Sequence, residues 1–124
     1  MENKNITVYG SGNQTRSFCY VDDLIDGIES MMNNKDFLGP LNLGNPTEIS
    51  VENLAKEIIR MTKSKSKIMY KKLPIDDPKM RCPDISLANE KLGWNPSTDR
   101  SVGLRKTIQY FSNRLQKKHN HEEF

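Results

Sequence analysis

The chain has 124 residues, a formal net charge of +3 and 28% charged side chains, which fits one modest domain and lacks the basic bias of a nucleic-acid binder. Its hydrophobic fraction of 35% is low for a domain that closes its own core, so packing against further protein is expected. No apolar run approaches the roughly 18 residues of a membrane span, and the opening Met1–Asn5 has no apolar stretch of the kind a signal peptide carries.

Ile6–Tyr9 is β-rich and stops at Gly10, which predicts a short strand. Gly10-Ser11-Gly12-Asn13 is a turn, and Arg16–Tyr20 reads as a second extended piece. From Val21 the apolar residues Leu24, Ile25, Ile28, Met31 and Met32 follow at helical spacing, with Asp22 and Asp23 in the first turn, where negative charge suits the helix dipole. Gly39-Pro40 breaks the chain, Leu41–Leu43 is a strand candidate, and Gly44-Asn45-Pro46 is a turn. Ser50 stands as an N-cap, with Ile49 and Leu54 at staple positions, for a helix whose apolar face is Val51, Leu54, Ala55 and Ile58.

Past the basic stretch that begins at Lys63, Ile68–Leu73 reads as a strand ended by Pro74. Ile75–Pro83 is a loop dense in charge and proline. Asp84 is placed to cap a short helix that runs to Leu92 and ends at Gly93, followed by an aromatic turn at Trp94-Asn95-Pro96. A last helix begins near Asp99 or Ser101 and carries Leu104, Ile108, Phe111 and Leu115 on one side. The tail from Gln116 to Phe124 is polar and expected to fray, which makes a metal site at His119 and His121 a poor reading. Cys19 and Cys82 follow no metal or redox spacing, so reduced thiols in a cytoplasmic protein are the simplest account. Strands alternating with helices give an α/β class, with a sheet too thin to be closed on both faces.

One stretch stands out chemically. Arg16 sits in a short, otherwise uncharged run between Gln14 and the aromatics Phe18 and Tyr20. A planar guanidinium matches phosphate or carboxylate oxygens with paired donors; the alternative is a strand-end arginine capping the carboxylates that follow it.

The run Tyr9–Leu24 resembles the signature of extended short-chain dehydrogenase/reductase enzymes that act on nucleotide sugars. Gly39–Pro46, Asp76–Ser86 and Lys91–Pro96 agree with that family in order and spacing. Within it the resemblance is nearest to the UDP-glucuronate decarboxylases, then to dTDP-glucose 4,6-dehydratases and epimerases. It implies a C-terminal portion of the family fold. Residues 1–48 would be edge elements of the dinucleotide-binding (Rossmann) domain with a substrate loop, residues 49–115 a small sugar-nucleotide-binding subdomain, and residues 116–124 a disordered tail.

The resemblance also implies roles. Arg16 and Arg81 would reach the diphosphate of a UDP-sugar, and Tyr9 and Gln14 would lie near base and ribose. For Arg81 the other reading is a surface pair with Asp76 or Asp77, and Tyr9 equally suits a strand-end core position. Asn42 and Asn45 are read as turn-fixing residues and Trp94 as a packing anchor. The family reaction is NAD-dependent oxidation at the sugar C4, loss of the C6 carboxylate, then reduction. The sequence contains neither a G-x-x-G-x-x-G phosphate loop nor a Tyr-x-x-x-Lys pair, so these residues are expected to bind no NAD and to be inactive alone. Association with a missing N-terminal part or with further copies is expected, through a sheet edge left unpaired, with no nucleic-acid or membrane partner.

Overall fold

A computed structural model describes residues 4–119 of the chain. The first three residues and residues 120–124, with His121 and the end of the expected tail, lie outside the described residues. The elements in order are β1 (Ile6–Tyr9), β2 (Thr15–Ser17), α1 (Val21–Asn33), β3 (Glu48–Ser50), α2 (Val51–Thr62), β4 (Ile68–Lys71), β5 (Met80–Arg81), α3 (Ser86–Leu92) and α4 (Arg100–His119).

The α/β class holds, with the strands divided between two small sheets. β1 pairs in parallel with β4, from Ile6 opposite Ile68 to Tyr9 opposite Lys71. β2 is central in the other sheet, antiparallel to β3 and parallel to β5. The Gly10–Asn13 turn redirects the chain from one sheet to the other. Gly12 has φ +76, and a Cβ there would meet Glu52 Cβ at 2.8 Å, so both backbone conformation and space require glycine.

That turn also closes the start of α2. The Gly12 carbonyl accepts from the Glu52 amide at 3.0 Å and the Gln14 carbonyl from the Val51 amide at 3.0 Å. Ser50 Oγ accepts from the Asn53 amide at 3.2 Å, which is the expected N-cap. Three amides that a helix leaves unpaired at its first turn are thereby satisfied. At the other end, α2 stops at Lys63, whose backbone is left-handed.

Three expectations are corrected. Leu41–Leu43 forms no strand, because no strand lies alongside it among the described residues, and a strand exists only through its ladder partner. Conversely, Met80–Arg81 lies in the expected loop and forms a strand, because Thr15–Arg16 runs beside it and the Thr15 amide donates to the Lys79 carbonyl at 3.0 Å. The last helix also continues through Gln116 as far as His119, into the stretch expected to fray.

The packed centre is small. Val8, Ala55, Ala88 and Trp94 are its buried apolar residues. Trp94 joins α1 to the α3–α4 connection: its Nε1 donates to the Asp23 carbonyl at 3.0 Å, and its ring sits where a Cβ on Gly27 would come within 2.9 Å. Asp23 is buried, and more than a helix-dipole partner. Its carboxylate accepts from the Thr98 amide at 2.9 Å, the Thr98 hydroxyl at 2.9 Å and the Ser97 hydroxyl at 3.2 Å. Burial pushes this carboxyl up, but the Thr98 and Ser97 hydrogen bonds outweigh it and hold the group below its ordinary value. The last two helices begin with a shared Asp-x-Ser device: Asp84 accepts from the Ser86 amide and Asp99 from the Ser101 amide. Asp84 stands one position before the N-cap residue Ile85, so it reaches the first helical amide from outside the helix.

Candidate functional site

β2 carries Arg16 at its centre, with Ile49 of β3 opposite on one side and Arg81 of β5 on the other. Directly opposed residues of neighbouring strands project to the same face, so both arginines belong to one face of this sheet. Two guanidinium groups side by side repel one another unless an anion lies between or beside them. Asp77, on the β4–β5 connection, supplies one such charge. It accepts from Arg16 Nη2 at 2.5 Å, while Arg16 Nη1 donates to the Thr15 carbonyl at 2.7 Å. The Arg16 and Asp77 side chains keep 19% and 29% of their surface exposed. Arg81 is exposed and forms no ion pair among the described residues. The carboxylate that had been a candidate partner for Arg81 thus serves Arg16.

The flanks of β5 are fixed by the Asn42–Pro46 segment. Asn42 Nδ2 donates to the Asp84 carbonyl at 3.2 Å, Cys82 Sγ to the Pro46 carbonyl at 3.3 Å, and Gly44 lies against the Pro83 ring. Asn45 closes its own turn by accepting from the Thr47 amide at 2.8 Å.

The other two expected site residues meet at the β1–β2 turn. Gln14 Nε2 donates to the Tyr9 carbonyl at 2.7 Å, which commits half of its amide to closing the turn. Tyr9 keeps 47% of its surface exposed. The structure therefore brings Arg16 and Arg81 together directly, and places Tyr9 and Gln14 as a second pair at the preceding turn.

Neither arginine lines either of two grooves found among the described residues. A groove of about 560 Å³ lies against Thr15, Ser50, Lys56, Arg60 and Arg100, and one of about 360 Å³ between Phe18, Thr47, Ile85 and the Asn95–Arg100 segment. Arg81 is exposed at the sheet surface, while the Arg16 side chain is largely covered and held by Asp77 and the Thr15 carbonyl. Asp77, one of two candidate partners in the surface-pair reading of Arg81, pairs with Arg16 instead: Asp76-Asp77-Pro78 offers two adjacent carboxylates and only the fold selects one.

Two further features bear on chemistry. The Cys19 thiol is pushed up by burial and by the neighbouring Asp23 charge, so it stays protonated at neutral pH and makes a poor nucleophile. Among the described residues, no three His, Cys, Asp or Glu side chains converge as a metal site, and no helix is long and apolar enough to cross a membrane.

The glycine turn after β1 does not have the form of a dinucleotide pyrophosphate cradle. Such a pyrophosphate is held where a strand passes through a glycine turn into a helix N-terminus. Here the glycine turn after β1 leads into another strand, and the space at Gly12 is filled by Glu52 and Val8.

The profile of the GDP-mannose 4,6 dehydratase family matches residues 1–107. The chain belongs to that family. It is 43% identical over 122 residues to UDP-glucuronic acid decarboxylase 1 of Danio rerio, covering 98% of this chain and 29% of the relative. It is 44% identical over 110 residues to UDP-glucuronic acid decarboxylase 1 of Arabidopsis thaliana, covering 89% of this chain and 25% of the relative. Among solved structures, a UDP-glucuronic acid 4-epimerase from Bacillus cereus, in complex with UDP-glucuronic acid and NAD, superposes with a TM-score of 0.83 at 27% identity. That superposition covers 90% of this chain and 36% of the epimerase. The chain thus spans between a quarter and a third of the length of these decarboxylase relatives. The resemblance carried by Tyr9–Leu24 and the later segments is confirmed at the level of the family and its extended short-chain dehydrogenase fold.

Proposed function

We propose that this chain is the sugar-nucleotide-binding C-terminal region of a UDP-glucuronate decarboxylase-like enzyme, one that converts UDP-glucuronate to UDP-xylose when complete. The observation that carries this reading is the pairing of Arg16 with Arg81 across β2 and β5. Two adjacent guanidiniums present planar, directed donors to the two phosphates of a UDP-sugar, and Asp77 fixes the orientation of one of them. Decarboxylase relatives at 40–44% identity favour this substrate over the dehydratase alternative. Tyr9 and Gln14 supply an aromatic face and a remaining amide oxygen on the base and ribose side.

The chain's own part is to bind and orient the nucleotide. The nicotinamide site and the acid/base pair lie elsewhere in the enzyme, so these residues alone bind no NAD and turn over no substrate. Residues 1–48 serve as edge elements of the dinucleotide-binding domain and residues 49–115 as the substrate subdomain.

Calorimetry of the purified chain with UDP tests the binding, and mass-spectrometric detection of UDP-xylose from UDP-glucuronate plus NAD tests the incompleteness. Binding of UDP that disappears in Arg16→Ala supports the assignment. UDP-xylose made by this chain alone would overturn the division of labour, and unchanged UDP affinity in both Arg16→Ala and Arg81→Ala would overturn the site.

A further inference from the structure

The two sheets are joined at a permissive turn. Gly10 and Gly12 have left-handed backbones, φ +64 and +76, and lie on the chain between Tyr9 at the end of β1 and Arg16 in β2. Main-chain bonds fasten the turn to each side separately. The Gly10 amide donates to the Lys71 carbonyl of β4 at 2.8 Å, and the Glu52 amide of α2 donates to the Gly12 carbonyl at 3.0 Å.

Tyr70 joins those two sides directly. It stands opposite Val8 in the β1–β4 pair, and its hydroxyl reaches the first turn of α2, where it donates to Glu52 Oε1 at 2.6 Å. Lys56, one helical turn further on, holds the same oxygen at 2.9 Å. Glu52 is thus bonded to the glycine turn by its amide and to β4 by its carboxylate. The Tyr70 hydrogen bond lowers the Glu52 carboxyl and raises the Tyr70 hydroxyl, so acceptor and donor both keep the forms this bond needs at neutral pH. An exposed contact of this kind adds little to stability. Its consequence is geometric. α2 continues directly from β3, which pairs with β2, so the bond fixes the β1–β4 sheet against the sheet that carries Arg16.

We propose that Tyr70 and Glu52 are positioning residues for the nucleotide: they hold Tyr9 and Gln14 at a fixed offset from Arg16 and Arg81, so that base and diphosphate are met together. The proposal rests on the nucleotide reading above, from which it takes its ligand. A ligand that touches the two arginines alone is indifferent to that offset, whereas one that spans from the arginines to Tyr9 depends on it. This difference separates positioning from a general loss of structure.

Calorimetry of the whole chain with UDP and, separately, with inorganic pyrophosphate reads the offset. Hydrogen exchange of the Val51 and Glu52 amides, which donate to the Gln14 and Gly12 carbonyls, reads the brace without any ligand. Tyr70→Phe keeps the ring and loses the hydroxyl, Glu52→Ala removes the acceptor, and Glu52→Gln keeps an acceptor oxygen without the charge. Circular dichroism checks that each variant is folded. Tyr70→Phe and Glu52→Ala should lower UDP affinity about three- to tenfold and leave pyrophosphate affinity unchanged. Glu52→Gln should restore most of what Glu52→Ala loses. Exchange of both amides should quicken in Tyr70→Phe. Unchanged exchange in Tyr70→Phe overturns the proposal, and so does a parallel loss of UDP and pyrophosphate binding. UDP affinity that is unchanged in Tyr70→Phe, in a chain that binds UDP, overturns it as well. If exchange quickens while the parent chain binds neither probe, the nucleotide reading falls and the brace between the sheets stands.

Discussion

Arg16 Nη2 donates to Asp77 Oδ1 at 2.5 Å, an ion pair that spans 61 positions of sequence and ties the β4–β5 connection to the centre of the second sheet. Neither residue is deeply buried, so the pair adds little net stability. Its effect is directional: one Nη atom is held by Asp77, the other by the Thr15 carbonyl, and the remaining donors keep a fixed heading. Arg16→Ala should therefore weaken UDP binding about 10–100-fold, the range for loss of a charge-assisted hydrogen bond. Asp77→Asn should weaken it by about a few-fold, by releasing the guanidinium without removing it. Calorimetry on both variants checks this, and tighter binding by Asp77→Asn would show that Asp77 competes with the ligand.

Asp23 makes stability depend on acid. Its folded-state carboxyl is held below the unfolded value, so the stabilisation it provides is complete above the ordinary aspartate range and is lost as pH falls through the lowered value. Asp84 and Asp99 are lowered by their Ser86 and Ser101 hydrogen bonds and act in the same direction. Denaturant melts below about pH 4 should show a falling midpoint, and Asp23→Asn should flatten that limb. Asp23→Ala should destabilise the chain at neutral pH by about 3 kcal/mol, because the Thr98 and Ser97 donors lose their acceptor. An acid limb as steep in Asp23→Asn as in the parent chain would remove Asp23 as its cause.

Ser17 presents the opposite case. Its hydroxyl is buried and meets no hydrogen-bond partner. Ser17→Ala removes a desolvated polar group and should raise stability by about 1 kcal/mol. A lower melting temperature in that variant would mean the hydroxyl is satisfied.

Gly27 tests the packing of α1 on the α3–α4 connection. Alanine is the better helix former by about 1 kcal/mol. Even so, a Cβ at this position would lie 2.9 Å from Trp94 Cε2 and 3.1 Å from Leu43 Cδ1. Gly27→Ala should accordingly destabilise by about 1–3 kcal/mol. It should also shift the fluorescence of Trp94, the chain's single tryptophan. Stabilisation with unchanged emission would show that the helix can move away.

The sequence exposed those parts of the fold whose signals are local. Ser50 has a free hydroxyl ahead of an apolar helical face, and Gly93 supplies the left-handed residue that ends α3. Other parts depend on a distant partner. A two-residue strand such as β5 has no periodicity, and only its neighbour Thr15–Arg16 makes it one. Leu41–Leu43 has the composition of a strand and no neighbour to pair with. Chemistry and resemblance singled out Arg16 and Arg81, and the β2–β5 register sets the two opposite one another. The choice of Asp77 over Asp76, and the burial of Asp23 under Thr98, came from contacts between segments more than sixty positions apart.

The rung of the β2–β5 ladder that joins Arg16 to Arg81 sets two positive charges next to each other and neutralises one. The Arg81 charge meets no ion-pair partner among the described residues. A diphosphate that settles there completes the charge balance of β5 as well as occupying a binding site, so the nucleotide becomes a fastener for the 74–81 segment. UDP should raise the melting temperature and slow exchange of the Thr15 amide, the group bonded to the Lys79 carbonyl. Sodium chloride at matched ionic strength, which only screens, should do much less.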